Sequence, residues 1–135
     1  MKVLVDTSIW SQVLRRKEVN QDFAKHLTDL VQDLRVVIIG PIRQELLSGI
    51  SDEGLFLRLR QQLAAFDDEP LLTSDFESAA DLNNHCRRNG VQGSLVDFLI
   101  CSVAINRGYE VWTDDADFSH YACFSTLQLH ARKSQ

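Results

Sequence analysis

The chain has 135 residues, with 14 Lys and Arg against 19 Asp and Glu, for a formal charge of −5. One domain spanning 1–135 is expected, and at about 150 residues a domain buries roughly two-thirds of its unfolded surface, so no disulfide or zinc staple is required. Uncharged apolar stretches such as 36–42 fall far short of the about 18 residues a membrane span needs, and the acidic balance argues against gripping nucleic acid through a broad basic face.

In chain order, the β-branched run Val3-Leu4-Val5 reads as a strand that stops at Asp6-Thr7-Ser8, a helix N-cap cluster. Helices are predicted over 9–17 and 21–34, the second with Phe23, Leu27, Leu30, Val31 and Leu34 at helical spacing. Val36-Val37-Ile38-Ile39 suits a strand covered on both faces, and Gly40-Pro41 ends it, with Pro41 placed to begin a helix carrying Glu45. A helix over 55–66, a weak strand at 70–73 and a helix over 74–89 closed by Gly90 follow. Ser94 caps an apolar helix running to Asn106 and closed by Gly108; 109–113 is a strand, and the last strand lies within 123–129. Alternating strands and helices predict an α/β fold with a parallel sheet between helical layers, and ligands of such sheets sit beyond the carboxyl ends of the strands.

Cys86, Cys101 and Cys123 are odd in number and contain no CxxC pair, so reduced core thiols are expected. The N-terminal residues reach Asp6 too early for a signal peptide's apolar region, and a cytoplasmic location with no membrane partner is expected. His26, His85, His120 and His130 show no metal-ligand spacing.

Acids gather at the predicted strand ends. Asp6 follows the first strand, Glu45 lies early in the helix after the second, and Asp97 opens the helix before the 109–113 strand. Asp114, Asp115 and Asp117 follow that strand. Each has a plain structural explanation. Asp6 can cap a helix, Glu45 can answer a helix dipole, Asp97 completes a capping-box pattern with Ser94, and the last three suit a solvated turn. A calcium loop fits poorly, because His120 stands where an EF-hand wants Gly. The joint placement points to a site, since packed carboxylates repel unless a cation neutralises them. Oxygen-rich clusters suit Mg²⁺ or Mn²⁺, and two such ions about 4 Å apart can activate water for phosphodiester hydrolysis.

Four segments in order carry a family resemblance: Val3-Leu4-Val5-Asp6-Thr7-Ser8-Ile9-Trp10, Arg43-Gln44-Glu45-Leu46-Leu47-Ser48-Gly49, Asp97-Phe98-Leu99-Ile100-Cys101-Ser102-Val103-Ala104, and Val111-Trp112-Thr113-Asp114-Asp115-Ala116-Asp117-Phe118. From residue 2 to about 118 the chain resembles the PIN-domain family, and within it the VapC-type ribonuclease toxins of toxin–antitoxin modules. The resemblance implies a three-layer α/β/α fold with a five-stranded parallel sheet in order 3-2-1-4-5. It also implies RNA cleavage with Mg²⁺ or Mn²⁺, a homodimer, and a cognate VapB-type antitoxin. It matches Asp6, Glu45, Asp97 and Asp115 to the family's site acids, adds Asp117 to the metal set, and makes Thr7 or Ser8 and Thr113 the supporting hydroxyls. Without Asp6, Glu45, Asp97, Asp115 and Asp117 the chain carries 14 acids and 14 bases, so the acidity marks the site instead of excluding an RNA substrate.

The rivals are weaker. A phosphatase with an aspartyl nucleophile would need a second Asp two residues after the first, where Ser8 stands; GxGxxG and P-loop motifs are absent. The alternative from another class is a PIN-like protein that binds RNA or a partner without cutting. Arg15-Arg16-Lys17, Arg87-Arg88 and Arg132-Lys133 are read first as helix-end or surface charge, and Trp10 and Trp112 as core. The helices near 9–17 and 55–66 are candidates for an antitoxin groove.

Overall fold

A computed structural model describes residues 1–131, so Arg132-Lys133 lie outside the described residues. The element order is β1 (Val3–Val5), α1 (Thr7–Leu14), α2 (Gln21–Gln32), β2 (Val36–Val37), α3 (Gly40–Leu47), α4 (Glu53–Leu63), α5 (Thr73–Arg88), α6 (Leu95–Arg107), β3 (Glu110–Trp112), α7 (Asp117–Cys123) and β4 (Gln128–Leu129).

The sheet is parallel throughout, in the order β2-β1-β3-β4. β1 is at its centre, and its three aliphatic residues are fully buried, as a strand covered on both faces requires. The chain leaves β1 towards β2 and later crosses back over β1 to reach β3. Right-handed crossovers in opposite directions place helices on both faces of the sheet. Beyond β2 the edge continues as one parallel bridge, Ile38 to Asp68, with Glu69 N donating to the Ile38 carbonyl at 2.8 Å. Counting that bridge as the third strand in sequence recovers the expected 3-2-1-4-5 order, as four strands and one bridged residue pair. The stretch 70–73 does not extend the pairing: Pro70 has no N–H for the ladder, and Leu72 N turns to Asp75 Oδ2 at 2.8 Å to open α5.

Local chemistry fixes the other boundaries. Asn20 Oδ1 accepts from Phe23 N at the start of α2, Asp52 Oδ1 from Gly54 N at the start of α4, and Ser94 Oγ from Asp97 N at the start of α6. Gly108 closes α6 at φ +72°, a left-handed conformation that costs glycine no steric penalty. α1 ends at Leu14 and α2 at Gln32, short of the expected 17 and 34, and α4 begins at Glu53 because Asp52 caps it. α7 is absent from the sequence reading; its seven residues are too few for a periodic signal, yet Phe118 and Tyr121 fall on one face and are fully buried.

α6 is buried continuously from Phe98 to Ala104 and packs against α5 and β3. Cys86 and Cys101 are in this core and burial pushes both thiols up, as expected of inert core thiols; Cys123 is exposed, against expectation. Trp10 and Trp112 are core residues as predicted. The α5–α6 pair is fastened by a buried carboxylate. Arg107 Nη1 and Nη2 donate to the two oxygens of Asp75 at 2.8 Å each, and Asn106 Nδ2 adds a bond at 3.0 Å. At the far edge His26 Nε2 and His130 Nε2 are 2.8 Å apart and Glu110 Oε1 is 2.9 Å from His130 Nδ1, which ties the end of β4 to α2.

Candidate active site

The site grows from the junction of β1 and β3, where the strand order reverses. Asp6 N donates to the Trp112 carbonyl at 2.9 Å, so pairing runs one residue past the strands and sets Asp6 beside Thr113 at the carboxyl edge. Asp6 holds the N-cap position of α1, and its carbonyl accepts from Ile9 N and Trp10 N. Its carboxylate makes no cap bond. Oδ2 instead accepts from Ser8 Oγ and Thr113 Oγ1, each at 2.8 Å, in a pocket that leaves the residue 6 % exposed. Capping therefore explains the backbone of Asp6 and not its side chain.

Thr113 couples two acids through one hydroxyl, donating to Asp6 while accepting from Asp115 N at 3.0 Å. Asp115 Oδ1 accepts from Asp117 N at 2.9 Å and so helps to start α7. Asp114 is drawn elsewhere: its N donates to Ser8 Oγ at 3.0 Å, and its Oδ2 accepts from the buried Gln12 amide at 2.8 Å. Glu45 comes from the second turn of α3, past the reach of the helix dipole, and Oε1 accepts from Thr7 Oγ1 at 2.8 Å. Asp97 N caps onto Ser94 at 3.0 Å, while its carboxylate turns across to Tyr121, whose hydroxyl donates to Oδ2 at 2.8 Å.

Electrostatics identify which acids share one field. Burial is the first cause that raises the Asp97 carboxyl above the ordinary range; the charges of Asp6 and Asp115 raise it further, against the bonds from Tyr121 and Ser94. Burial likewise raises the Tyr121 phenol, with Asp97, Asp117 and Asp115 adding to it. Asp6 and Asp115 thus both act on Asp97. Glu45 reaches the same edge through Thr7, and Asp117 stands exposed at the rim, within the field of Tyr121. No ion pair among the described residues involves any of these five acids.

Among the described residues no three His, Cys, Asp or Glu side chains stand close enough to form a ready cage for a metal. The donor set nevertheless fits a small hard divalent cation. It is all oxygen, it carries uncompensated negative charge, and its hydroxyls orient the carboxylates. Mg²⁺ typically takes one or two carboxylates and keeps waters for the rest, so a full protein cage is not required.

Tyr121 and Gln12 are the two residues at this edge that the sequence reading missed. Tyr121 left one trace, its position three residues after Phe118. Gln12 left none, because its role depends on Asp114 arriving from a distant strand end. A groove of about 730 Å³ opens elsewhere, between the end of α1 and α4. Arg15, Arg16, Lys17, Arg58 and Asp52 line it beside apolar Val13, Leu14, Val19 and Leu55. No described helix is long and apolar enough to cross a membrane.

Comparison with known proteins gives one consistent answer. Residues 3–122 match the PIN domain family. The chain is 30 % identical over 132 residues to VapC ribonuclease Mb1587 of Mycobacterium bovis, covering 93 % of this chain and 96 % of the relative. The same figures hold for ribonuclease VapC11 of Mycobacterium tuberculosis. Among solved structures, VapBC2 from Rickettsia felis, bound to a DNA fragment from its promoter, superposes with a TM-score of 0.80 at 16 % identity, covering 96 % of this chain and 98 % of that one. FitAcB from Neisseria gonorrhoeae gives 0.78 at 18 % identity, with 96 % of each chain covered.

Proposed function

The chain belongs to the PIN-domain family, and from that premise we propose that it is a VapC-type endoribonuclease, the toxin of a VapBC-type pair, whose RNA hydrolysis depends on Mg²⁺ or Mn²⁺. Asp6 and Asp97 would hold the principal ion; Glu45 and Asp115 complete the acidic pocket directly or through water, with Asp117 at its rim. When bound, the ion supplies an activated water and neutralises charge that builds on the phosphate. The chain's own residues supply orientation. Ser8 and Thr113 fix one oxygen of Asp6, Thr7 steadies Glu45, and Thr113 ties Asp115 to Asp6. The observation that carries the reading is that Asp6, at a helix N-cap, withholds its carboxylate from the cap and presents it among acids that form no ion pair among the described residues.

The remaining features suit the same reading. The groove between α1 and α4 combines an apolar floor with four basic side chains, the chemistry that would receive an acidic amphipathic segment of a VapB-type antitoxin. A single nuclease domain, a homodimer and a cytoplasmic location complete the proposal.

Metal binding separates this reading from a non-cutting PIN-like binder. Titration calorimetry with Mn²⁺ is expected to show binding to the wild-type chain and its loss in Asp6→Asn/Asp97→Asn. Absence of binding at millimolar Mn²⁺ would favour the non-catalytic alternative, for which mutually repelling carboxylates have no use.

A further inference from the structure

We propose that Tyr121, seated against Gly93, is a positioning residue that sets the Asp97 carboxylate for metal binding. The inference rests on the reading of Asp97 as a metal ligand. Tyr121 is fully buried, with its ring 4.9 Å from that of Phe98 and 5.2 Å from that of Phe118. Two aromatic neighbours on different helices thereby fix where its hydroxyl points. That hydroxyl donates to Asp97 Oδ2 at 2.8 Å. Asp97 N is already held by Ser94 Oγ at 3.0 Å, so both the backbone and one carboxylate oxygen of Asp97 are anchored. Tyr121 thus fixes one oxygen of the carboxylate, and a fixed carboxylate loses little rotamer entropy on meeting a cation.

Gly93 shows that the seat is made for this ring. A Cβ built on Gly93 would overlap the Tyr121 hydroxyl and lie 2.8 Å from Cζ and 3.0 Å from Cε1, closer than real contacts allow. The loop backbone before Ser94 therefore closes directly over the phenol, and only glycine lets it. Gly93 has no positive φ that would require glycine for backbone reasons, so the requirement comes from the approach of the ring. One short segment, Gly93 to Asp97, thus carries the seat for the phenol, the cap for α6 and the acid itself.

The test uses Mn²⁺ as the probe, titrated calorimetrically into the full chain well below its melting temperature, with metal-free melting curves alongside. Tyr121→Phe keeps the ring and removes only the hydroxyl. It is expected to weaken Mn²⁺ binding about 10-fold, in the range seen when a supporting partner of a metal ligand is lost, with the metal-free chain still folded. Gly93→Ala is expected to weaken binding in the same direction by pushing the phenol off Asp97. Asp97→Asn serves as the reference. If Asp97→Asn weakens Mn²⁺ binding and Tyr121→Phe leaves it within two-fold of wild type, the positioning role is overturned while the metal reading stands. If Asp97→Asn also leaves Mn²⁺ binding unchanged, the metal reading falls and this inference falls with it. A role confined to packing would lower the melting temperature of Tyr121→Phe without moving the Mn²⁺ affinity of the folded chain, which likewise overturns the proposal.

Discussion

Asp97→Asn is expected to cut metal-dependent RNA cleavage by about 10²–10³-fold, the cost of losing one group that stabilises charge in a transition state, while the metal-free protein becomes more stable. The two effects have one cause. Asp97 is partly buried within the field of Asp6 and Asp115, and these raise its carboxyl above the ordinary range. Asparagine keeps the shape, and its side-chain oxygen still accepts from Tyr121, but the repulsion disappears. A residue kept only for capping α6 would behave otherwise, because Ser94 makes that cap to the backbone N–H of residue 97 whatever the side chain. Parallel rate and melting measurements on the purified, antitoxin-free protein check both halves. Activity loss with a raised melting temperature fits the account; activity at the wild-type level contradicts it.

Asp75→Ala is expected to destabilise the fold by about 3–5 kcal/mol, the usual cost of stranding one partner of a buried ion pair. Asp75 is 1 % exposed and receives bonds from Arg107, Asn106 and Leu72 N. The Arg107 guanidinium also donates to the Pro70 carbonyl at 2.9 Å, so losing its partner loosens the approach to α5 as well. At this chain length the melting temperature should fall by about 10–20 °C. Replacing both partners, Asp75→Leu with Arg107→Met, should recover most of that loss, since apolar packing removes the stranded charge. The pair also has a pH signature. Its bond to Arg107 is the first cause holding the Asp75 carboxyl far below the ordinary range in the folded chain. A depressed folded value makes the pair's contribution fully present above the unfolded value of about 4 and progressively lost as pH falls below it. Urea melts from pH 7 down to pH 3 should therefore show a falling midpoint in wild type and a flatter profile in the Asp75→Leu/Arg107→Met chain.

Much of the fold and site is legible from sequence because the signals are local. Val3-Leu4-Val5 announces a buried strand, Ser94 a helix start and Gly108 its end, and each rests on neighbours within a few residues. The acids are legible for a related reason: in a parallel sheet every residue just past a strand, as Asp6 and Asp115 are, arrives at the same edge, and Asp97 opens the helix that leads back into β3 from that edge. What the sequence hides depends on partners far along the chain. The edge pairing at Asp68 is a single bridge, too short to leave a pattern, and Pro70 cuts it off. The Asp75–Arg107 pair joins residues 32 positions apart, and the Tyr121–Asp97 bond joins residues 24 apart across two helices. Among Asp114, Asp115 and Asp117 the sequence offers three adjacent choices. Gln12 resolves part of that choice by drawing Asp114 away, while Thr113 ties Asp115 to Asp6. The net charge is resolved in the same terms. Among the described residues the acids at the sheet edge form no ion pair, whereas Asp68, Asp75 and Glu110 elsewhere do.

The most direct test of the central claim is cleavage of RNA by the purified chain, freed of any antitoxin, with and without Mn²⁺, alongside Asp6→Asn. The account predicts cleavage that requires the ion, stops on chelation with EDTA, and falls to background in Asp6→Asn, although that variant stays folded. Cleavage that persists in EDTA, or that proceeds at the wild-type rate in Asp6→Asn, would contradict it.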